Sequence, residues 1–399
     1  MNQLKTLIVS ANKSKSAQGS FYVQSHKRVL NRVDLWKKTL PSVKPFYAVK
    51  CNPDSQLIEW LANEGLGFDC ASANEINKIP ACSKEEIKTS IIYANPCKPP
   101  LDISYAIESD LNLTVVDSEE EIDKLVSLKW QGDALLRIKV NDSGSLMPFS
   151  SKFGCELDKI SSLAKYAKHR SLRLLGISFH VGSGSTKASQ YLDAIGVAHQ
   201  GLRTLLLEGH TPHPLTSQII DIGGGFTINN FKESSFAIQT ALNKYKHFQC
   251  IAEPGRFFAE ASQDLFTQVI GKKGNSFTID ESIYGQFSCI PFDHAKPVWY
   301  RIPFDNQARK RKKTDITIFG RTCDSVDVIA MAEEAEELKV GDWLWWPNMG
   351  AYTNVTATEF NGFPLPPKIV IEEDISIPGF LEKPKNISYV SCVKSPLLI

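Results

Sequence analysis

Long apolar runs are missing from this 399-residue chain, and no stretch approaches the roughly 18 residues of a membrane-crossing helix. The first twenty residues hold one apolar cluster, Leu7-Ile8-Val9. A secretory signal needs about 7–15 apolar residues, so export is not expected. Charge of one sign is missing too: 45 Lys and Arg face 44 Asp and Glu, a formal net charge of +1. A neutral chain has no overall attraction to nucleic acid or to an anionic membrane, and neither is expected as a partner. The nine cysteines (Cys51, Cys70, Cys82, Cys97, Cys155, Cys250, Cys289, Cys323 and Cys392) are odd in number, scattered, and never in a C-x-x-C pair. A disulfide framework and a structural zinc site are therefore not expected, and no metal is assigned. Triplets such as Asn354-Val355-Thr356 then carry no glycosylation weight, and a cytoplasmic protein is expected.

What is present is an ordinary globular composition, 42% hydrophobic and 22% charged. Disorder and low-complexity architectures are excluded for most of the chain. At roughly 100–200 residues per domain, length predicts two or three domains, or one large barrel with a smaller partner.

Short β-branched or aromatic runs recur at Phe46–Val49, Gly67–Cys70, Ser90–Tyr93, Leu113–Val116, Ala134–Val140, Leu174–His180, Gln218–Ile222 and Cys250–Ala252. Amphipathic stretches lie between them, among them Asp54–Asn63, Glu119–Leu128, Glu156–Lys168, Ser189–Leu207 and Phe236–Lys246. This alternation over about 220 residues predicts a (β/α)8 barrel; a doubly wound open sheet fits less well. Beyond Glu253-Pro254-Gly255-Arg256 the texture changes. Gln268–Ile270, Ser276–Ile279, Asp315–Phe319 and Asp342–Trp346 are strand-like with few helices between, which predicts a smaller all-β domain. Phe21-Tyr22-Val23 could add a strand to it. The basic run Arg309–Lys313 has no interleaved aromatics and reads as a solvated loop rather than a nucleic-acid patch.

In a (β/α)8 barrel the active site forms at the C-terminal ends of the strands. The residues there are Lys50, Asp69-Cys70-Ala71-Ser72, Asp117, Arg137, His180-Val181-Gly182-Ser183, Gly223-Gly224-Gly225 and Glu253-Pro254-Gly255-Arg256. The loops after the last two strands are frequent phosphate sites. Three consecutive glycines let backbone N–H groups approach an anion, and Arg256 adds a planar fork suited to phosphate. A plain tight turn is the alternative for the glycines. Gly182-Ser183-Gly184-Ser185 would add donors, but it is no G-x-G-x-x-G fingerprint. Nothing matches G-x-x-x-x-G-K-[ST] either, so nucleotide-triphosphate chemistry is not supported. Lys50 ends an apolar strand, where a lysine is costly unless paired or neutral, and desolvation would lower its pKa toward a nucleophilic amine. A buried lysine paired with Asp69 is the structural alternative. Lysine, phosphate cup and facing carboxylate together suggest pyridoxal 5′-phosphate. Glu253 would keep the ring nitrogen protonated, and His180 has the shape to stack on the ring, unless it is a core histidine satisfied by backbone.

The strings Tyr47-Ala48-Val49-Lys50-Cys51-Asn52, Phe68-Asp69-Cys70-Ala71-Ser72, Tyr93-Ala94-Asn95-Pro96-Cys97-Lys98 and Lys152-Phe153-Gly154 resemble the eukaryotic-type ornithine decarboxylase family. So do Phe179-His180-Val181-Gly182-Ser183-Gly184, Asp221-Ile222-Gly223-Gly224-Gly225 and Ala252-Glu253-Pro254-Gly255-Arg256. Tyr284-Gly285, Phe292-Asp293-His294, Thr322-Cys323-Asp324, Gly350-Ala351-Tyr352-Thr353 and Phe360-Asn361-Gly362-Phe363 continue the likeness over about residues 20–365. The resemblance implies a fold-type III pyridoxal-phosphate decarboxylase: an alanine-racemase-like barrel over 25–262, and a β domain from 1–24 and 263–399. It implies that Lys50 is the Schiff-base lysine, Glu253 the ring-nitrogen partner and His180 the stacking residue. Ser183, Gly223, Gly224, Gly225, Gly255, Arg256 and Tyr352 match phosphate binders, and Asp69 and Arg137 match polar residues behind the cofactor. It further implies a homodimer whose second subunit contributes Cys323, the α-carbon proton donor, and Asp324. Asp293 and Asp324 would read a distal ammonium, and Phe360 would lie near the substrate carboxyl group.

Four positions depart from the family pattern. Phe292 replaces a common Tyr, Glu281-Ser282 a common Asp-Gly, and Arg321 the proline of Gly-Pro-Thr. The loop before Cys323 is thus the place where a different seating is expected. The tail Glu382–Ile399 lacks the acidic Pro/Ser/Thr-rich degradation signal of animal members, so regulated turnover is not expected. Two carboxylates suit a distal ammonium and repel the far carboxylate of diaminopimelate. Lysine, one methylene longer than ornithine, stays open as a second substrate, since a methylene is worth only about 1–3 kcal/mol in a pocket. Neither an inactive antizyme-inhibitor-like protein nor an alanine racemase fits the intact residue set.

Overall fold

The computed structural model describes residues 6–9, 19–79, 91–213, 217–303, 311–375, 381 and 383–389. It divides into two units, Met1–Asn31 with Ala259–Ile399 and, inserted between them, Arg32–Phe258. Strand β1 (Phe21–Ser25) belongs to the first, and the helix His26–Thr39 carries the chain across the boundary.

Eight parallel strands close the inserted unit into a barrel. They are β2 (Val43–Ala48), β3 (Gly67–Cys70), β4 (Ile91–Tyr93), β5 (Leu113–Val116), β6 (Asp133–Arg137), β7 (Leu174–Ser178), β8 (Ile219–Asp221) and β9 (Gln249–Ala252). Ring closure runs from Val43 opposite Cys250 to Pro45 opposite Ala252, which rules out the open sheet. Phe46, Ile92, Val115, Leu135, Ile219 and Ile251 form a buried cluster, as expected of strands covered on both faces. Outside the ring, Trp36 meets Phe226, Phe231, Phe257 and Phe258 at centroid distances of 5.1, 5.4, 5.6 and 5.8 Å. Such pairs add about 0.5–1.5 kcal/mol each beyond burial. Asp54 accepts the Leu57 N–H at 3.0 Å and Ser118 the Glu121 N–H at 3.3 Å, turning the chain into helix just past β2 and β5.

Several sequence-predicted bounds shift. β2 starts at Val43 because Pro45, which has no N–H to pair, is tolerated inside it. β6 and β7 stop at Arg137 and Ser178, short of the predicted Val140 and His180. The helix expected from Phe236 starts at Phe231, whose ring is buried. Ser90, Cys82 and Cys392 lie outside the described residues.

The other unit holds β10 (Gln263–Lys273), β11 (Ser276–Ile279), β12 (Tyr300–Ile302), β13 (Lys313–Phe319), β14 (Val328–Glu336), β15 (Trp343–Trp346), β16 (Lys368–Ile371) and β17 (Lys385–Ser388). The sheet order is β12-β15-β10-β11-β13-β14-β17, with β1 paired to β10 and β16. β1 therefore adds the strand expected of it, Phe21 opposite Phe266. Strand alternation splits this core in two. Tyr22, Leu265, Leu344 and Trp346 enter one cluster, and Phe21, Val23, Phe266, Trp343 and Trp345 the other. Two of the buried indoles are satisfied, Trp345 donating to Asp264 and Trp346 to Thr267, each at 2.9 Å.

The basic run Arg309–Lys313 is not simply a solvated loop. Arg309 and Lys310 lie outside the described residues, but Arg311 pairs with Asp342 and donates to the Glu337 carbonyl at 3.1 Å, and Lys313 opens β13. Of the predicted tail, β17 is described, whereas Glu382 and 390–399 lie outside. No helix among the described residues is long and apolar enough to cross a membrane.

Candidate active site

Parallel barrel strands bring their C-terminal ends to one rim. Lys50 stands on a single 3-10 turn, Val49–Cys51, directly after β2. Its Nζ donates to Asp69 Oδ2, on β3, at 2.9 Å; the lysine side chain is 46% exposed and the aspartate 1%. The expectation of a desolvated lysine is thereby corrected. The amine reaches out of its apolar strand into the rim, and its carboxylate partner is the buried member. Asp69 Oδ1 is buried with no hydrogen-bond partner among the described residues.

Two further acids stand beside it. Asp221 ends β8 and Glu253 follows β9, and both are buried. Asp221 Oδ1 accepts the Gly223 N–H at 2.9 Å, and the Asp221 and Glu253 carboxyls share a side-chain hydrogen bond. Burial pushes Asp221 up to about 7. Burial, with Asp221 and Asp69 alongside, pushes Glu253 well above the usual carboxylate range, against the pull of Lys50. An acid whose folded pKa exceeds its unfolded value contributes stability at low pH that is lost as pH rises through the folded pKa. The contribution of these two acids to the stability of the cofactor-free protein should therefore fall as pH rises from about 4 through about 7. Asp221→Asn should flatten that slope, since one of the coupled acids is gone. Melting curves with the same slope for both proteins would refute the assignment.

The loops after β7 and β8 touch backbone to backbone. Gly223 and Gly225 have φ of +64° and +100°. A Cβ would lie 2.5 Å from the Phe179 oxygen at Gly223, 2.9 Å from His180 Nε2 at Gly224, and 2.7 Å from the Gly182 oxygen at Gly225. Only glycine fits this cradle. Ser183 is held beside it by hydrogen bonds of its N–H to the Met147 carbonyl at 3.1 Å and from the Leu146 N–H to its own carbonyl at 3.1 Å. A Cβ on Gly255 would come 2.8 Å from Cys51 Cβ, so this loop packs on the turn that carries Lys50. Arg256 follows, opening the short helix Arg256–Ala259.

His180 Nδ1 accepts the Gly182 N–H at 2.9 Å, which leaves the ring proton on Nε2. Burial, then Arg137 and Lys50, hold the imidazole well below its usual pKa, so it is neutral. The Phe149 ring meets it edge-on at 4.8 Å, and Asp142 fastens that loop by accepting the Phe149 and Ser150 N–H groups at 2.6 and 2.8 Å. Arg137 ends β6 with its guanidinium 4.9 Å over the Phe153 ring. Asp117 accepts the Gly154 N–H at 2.8 Å, tying down the same loop.

In the β unit, Cys323 is exposed and its N–H donates to Asn361 Oδ1 at 3.1 Å. The Tyr284 hydroxyl donates to Asp324 Oδ2 at 2.5 Å, holding that carboxyl below its usual range, and the Tyr284 and Phe360 rings lie 4.5 Å apart. Cys323, Asp324 and Phe360 are thus one cluster. Asp293 ends the helix Cys289–Asp293, just before His294 at φ +53°. Tyr352 has φ +56°. Asp221, Phe149 and Tyr284 received no role from the sequence. Asp221 had a usable signal, an acid ending an apolar strand as Lys50 does; Tyr284 stood in a family-like motif without a role, and Phe149 had no signal.

The model of the family described as pyridoxal-dependent decarboxylase, pyridoxal binding domain, matches residues 26–260. The chain belongs to the pyridoxal-dependent decarboxylases. It is 36% identical over 372 residues to the chloroplastic ornithine decarboxylase of Nicotiana glauca, covering 90% of this chain and 84% of that one. With the ornithine decarboxylase of Caenorhabditis elegans it shares 37% over 381 residues, 89% of this chain and 88% of the relative. The solved arginine decarboxylase of Paramecium bursaria Chlorella virus superposes with a TM-score of 0.85 at 34% identity, covering 93% of this decarboxylase and all, 100%, of the viral one.

The rim residues of this decarboxylase fit pyridoxal phosphate. Among the described residues, Asp69 leaves one buried oxygen without a donor. Glu253 and Asp221, pushed up by burial, would regain their charged forms beside a protonated ring nitrogen. The glycine cradle supplies backbone close to where a phosphate group needs N–H donors.

Proposed function

We propose that this decarboxylase converts L-ornithine to putrescine, with pyridoxal 5′-phosphate held at the barrel rim and a second copy of the chain completing each site. The observation that carries the reading is the placement of Lys50, paired with Asp69, on the rim that also bears Asp221, Glu253 and the glycine cradle. The ornithine decarboxylases it resembles over nine-tenths of its length supply the substrate.

Lys50 would hold the cofactor covalently through Nζ. Glu253, hydrogen-bonded to Asp221, would pair with the ring nitrogen, and neutral His180 would cover the ring without adding charge. Gly223, Gly224, Gly225, Ser183, Gly255, Arg256 and Tyr352 would hold the phosphate, with Asp69 and Arg137 as polar residues behind the cofactor. When bound, pyridoxal phosphate supplies a sink for the electron pair left at the α-carbon as carbon dioxide departs. Cys323 delivers a proton to that carbon. Asp324, kept ionised and aimed by Tyr284, receives the distal ammonium together with Asp293, and Phe360 shields the departing carboxylate from water.

The viral arginine decarboxylase supports a second reading, because a guanidinium is also a cation for Asp324. Steady-state assays on ornithine, lysine, arginine and diaminopimelate separate the readings: ornithine should have the highest kcat/KM. Arginine turnover exceeding it would replace the first reading by the second.

A charge-assisted hydrogen bond contributes about 1.5–3 kcal/mol, so Asp324→Asn should lower ornithine kcat/KM about ten-fold or more. Cofactor absorbance should be unchanged, and normal kinetics would rule the role out. Cys323→Ala should release part of its product as an aldehyde with pyridoxamine phosphate. Clean putrescine formation at the normal rate would make Cys323 structural.

A further inference from the structure

We propose that Arg321 is a positioning residue that fixes Cys323 and Asp324 by binding together the three segments around them; its consequence for turnover rests on the roles proposed above. Arg321 Nη2 lies 3.5 Å from Glu281 Oε1, and the Arg321 N–H donates to the Glu281 carbonyl at 3.0 Å. The same Nη2 donates to the Pro364 carbonyl at 3.1 Å, and the guanidinium carbon stands 4.4 Å over the Phe363 ring. The third segment is its own turn, which continues through Thr322 into Cys323 and Asp324.

The segments that Arg321 joins are those that touch the two site residues. Tyr284, just after Glu281, donates to Asp324, and Asn361, just before Phe363, accepts the Cys323 N–H. The anchor itself is fixed: Glu281 is fully buried and its Oε2 accepts the Ser282 and Gln286 N–H groups at 3.1 and 3.0 Å. At the far end of the turn, buried Asp327 accepts the Thr322 hydroxyl at 2.6 Å and the Ile283 N–H at 3.0 Å. The turn is pinned on both sides while Cys323 between them is exposed. A planar guanidinium serves a carboxylate, a carbonyl and a ring face at once, which a lysine ammonium cannot do. Two of the positions that depart from the family pattern, Glu281 and Arg321, are therefore partners in one structure.

Arg321→Lys keeps a cation beside buried Glu281, whereas Arg321→Ala would strand that carboxylate and risk unfolding. A second variant, Arg321→Met with Glu281→Gln, removes both charges at similar volume. The holoenzyme is treated with iodoacetamide and labelling of Cys323 is measured against Cys97, the other exposed cysteine among the described residues. In both variants the Cys323-to-Cys97 ratio should rise about three-fold or more, the scale of coupling between groups in contact. The aldehyde fraction of the product should rise with it, at a melting temperature matched to the parent. An unchanged labelling ratio in the folded variants overturns the proposal, whatever the products. A raised ratio with clean putrescine supports it and instead removes Cys323 as proton donor.

Discussion

Lys50→Ala protein should lose roughly four orders of magnitude or more of its decarboxylase activity, the scale on which removal of a covalent catalytic group acts. Its barrel should stay folded, because Lys50 lies half exposed on a rim turn and supports no apolar layer. Borohydride reduction of the parent holoenzyme should fix the pyridoxyl group on Lys50. Two other lysines near the rim serve as controls. Lys98 is fully buried with its Nζ 2.8 Å from Glu121 Oε1, and donating to the Val115 carbonyl at 2.7 Å. Lys152 has its ammonium over the Phe153 ring. An adduct on either would remove Lys50 from the chemistry.

Mixing two impaired proteins should restore putrescine formation. Lys50 and Glu253 belong to the barrel unit, and Cys323 and Asp324 to the β unit. In a closed two-fold dimer with shared sites, each site takes one set from each chain. Lys50→Ala and Cys323→Ala homodimers should each be severely impaired. After free subunit exchange about half the dimers are mixed, and each of these has one intact site of two, so activity should approach about a quarter of wild type. Exchange confirmed by labelled subunits with no rise above the two parents would place the site within one chain. The exposure of Cys323, and of Phe360 at 42%, suits residues that serve another subunit's barrel.

The barrel was legible because its strands carry one signal, an apolar run ending in a charged residue or glycine, and Lys50, Asp69, Asp221 and Glu253 all obey it. β14 was not legible. Its sequence, Val-Ile-Ala-Met-Ala-Glu-Glu-Ala-Glu, is rich in good helix formers, yet it is a strand between β13 and β17. Burial of Ile329, Ala330, Ala332 and Ala335, with register shifts near Met331 and Glu334 at φ +47°, shows pairing overriding local preference. β12, β16 and β17 are three or four residues long, too short to carry a period. Within the site, single residues were readable and their partnerships were not. Tyr284 and Asp324 are forty positions apart, and only the folded sheet brings them together.

The insertion of one unit inside the other also sets the order of events on the ribosome. β1 pairs with β10 through Phe21 and Phe266, and with β16 through Tyr22 and Lys368. At about 5–20 residues per second, synthesis leaves β1 without its first neighbour for roughly 12–50 s, and without its second for longer still. All eight barrel strands leave the ribosome during that wait. The nascent chain therefore presents a Phe-Tyr-Val strand with two open edges throughout, the kind of segment that pairs with other chains when left bare. Slowed elongation within the barrel should lengthen this exposure and lower soluble yield, while slowing after Lys273, once β10 is made, should cost much less.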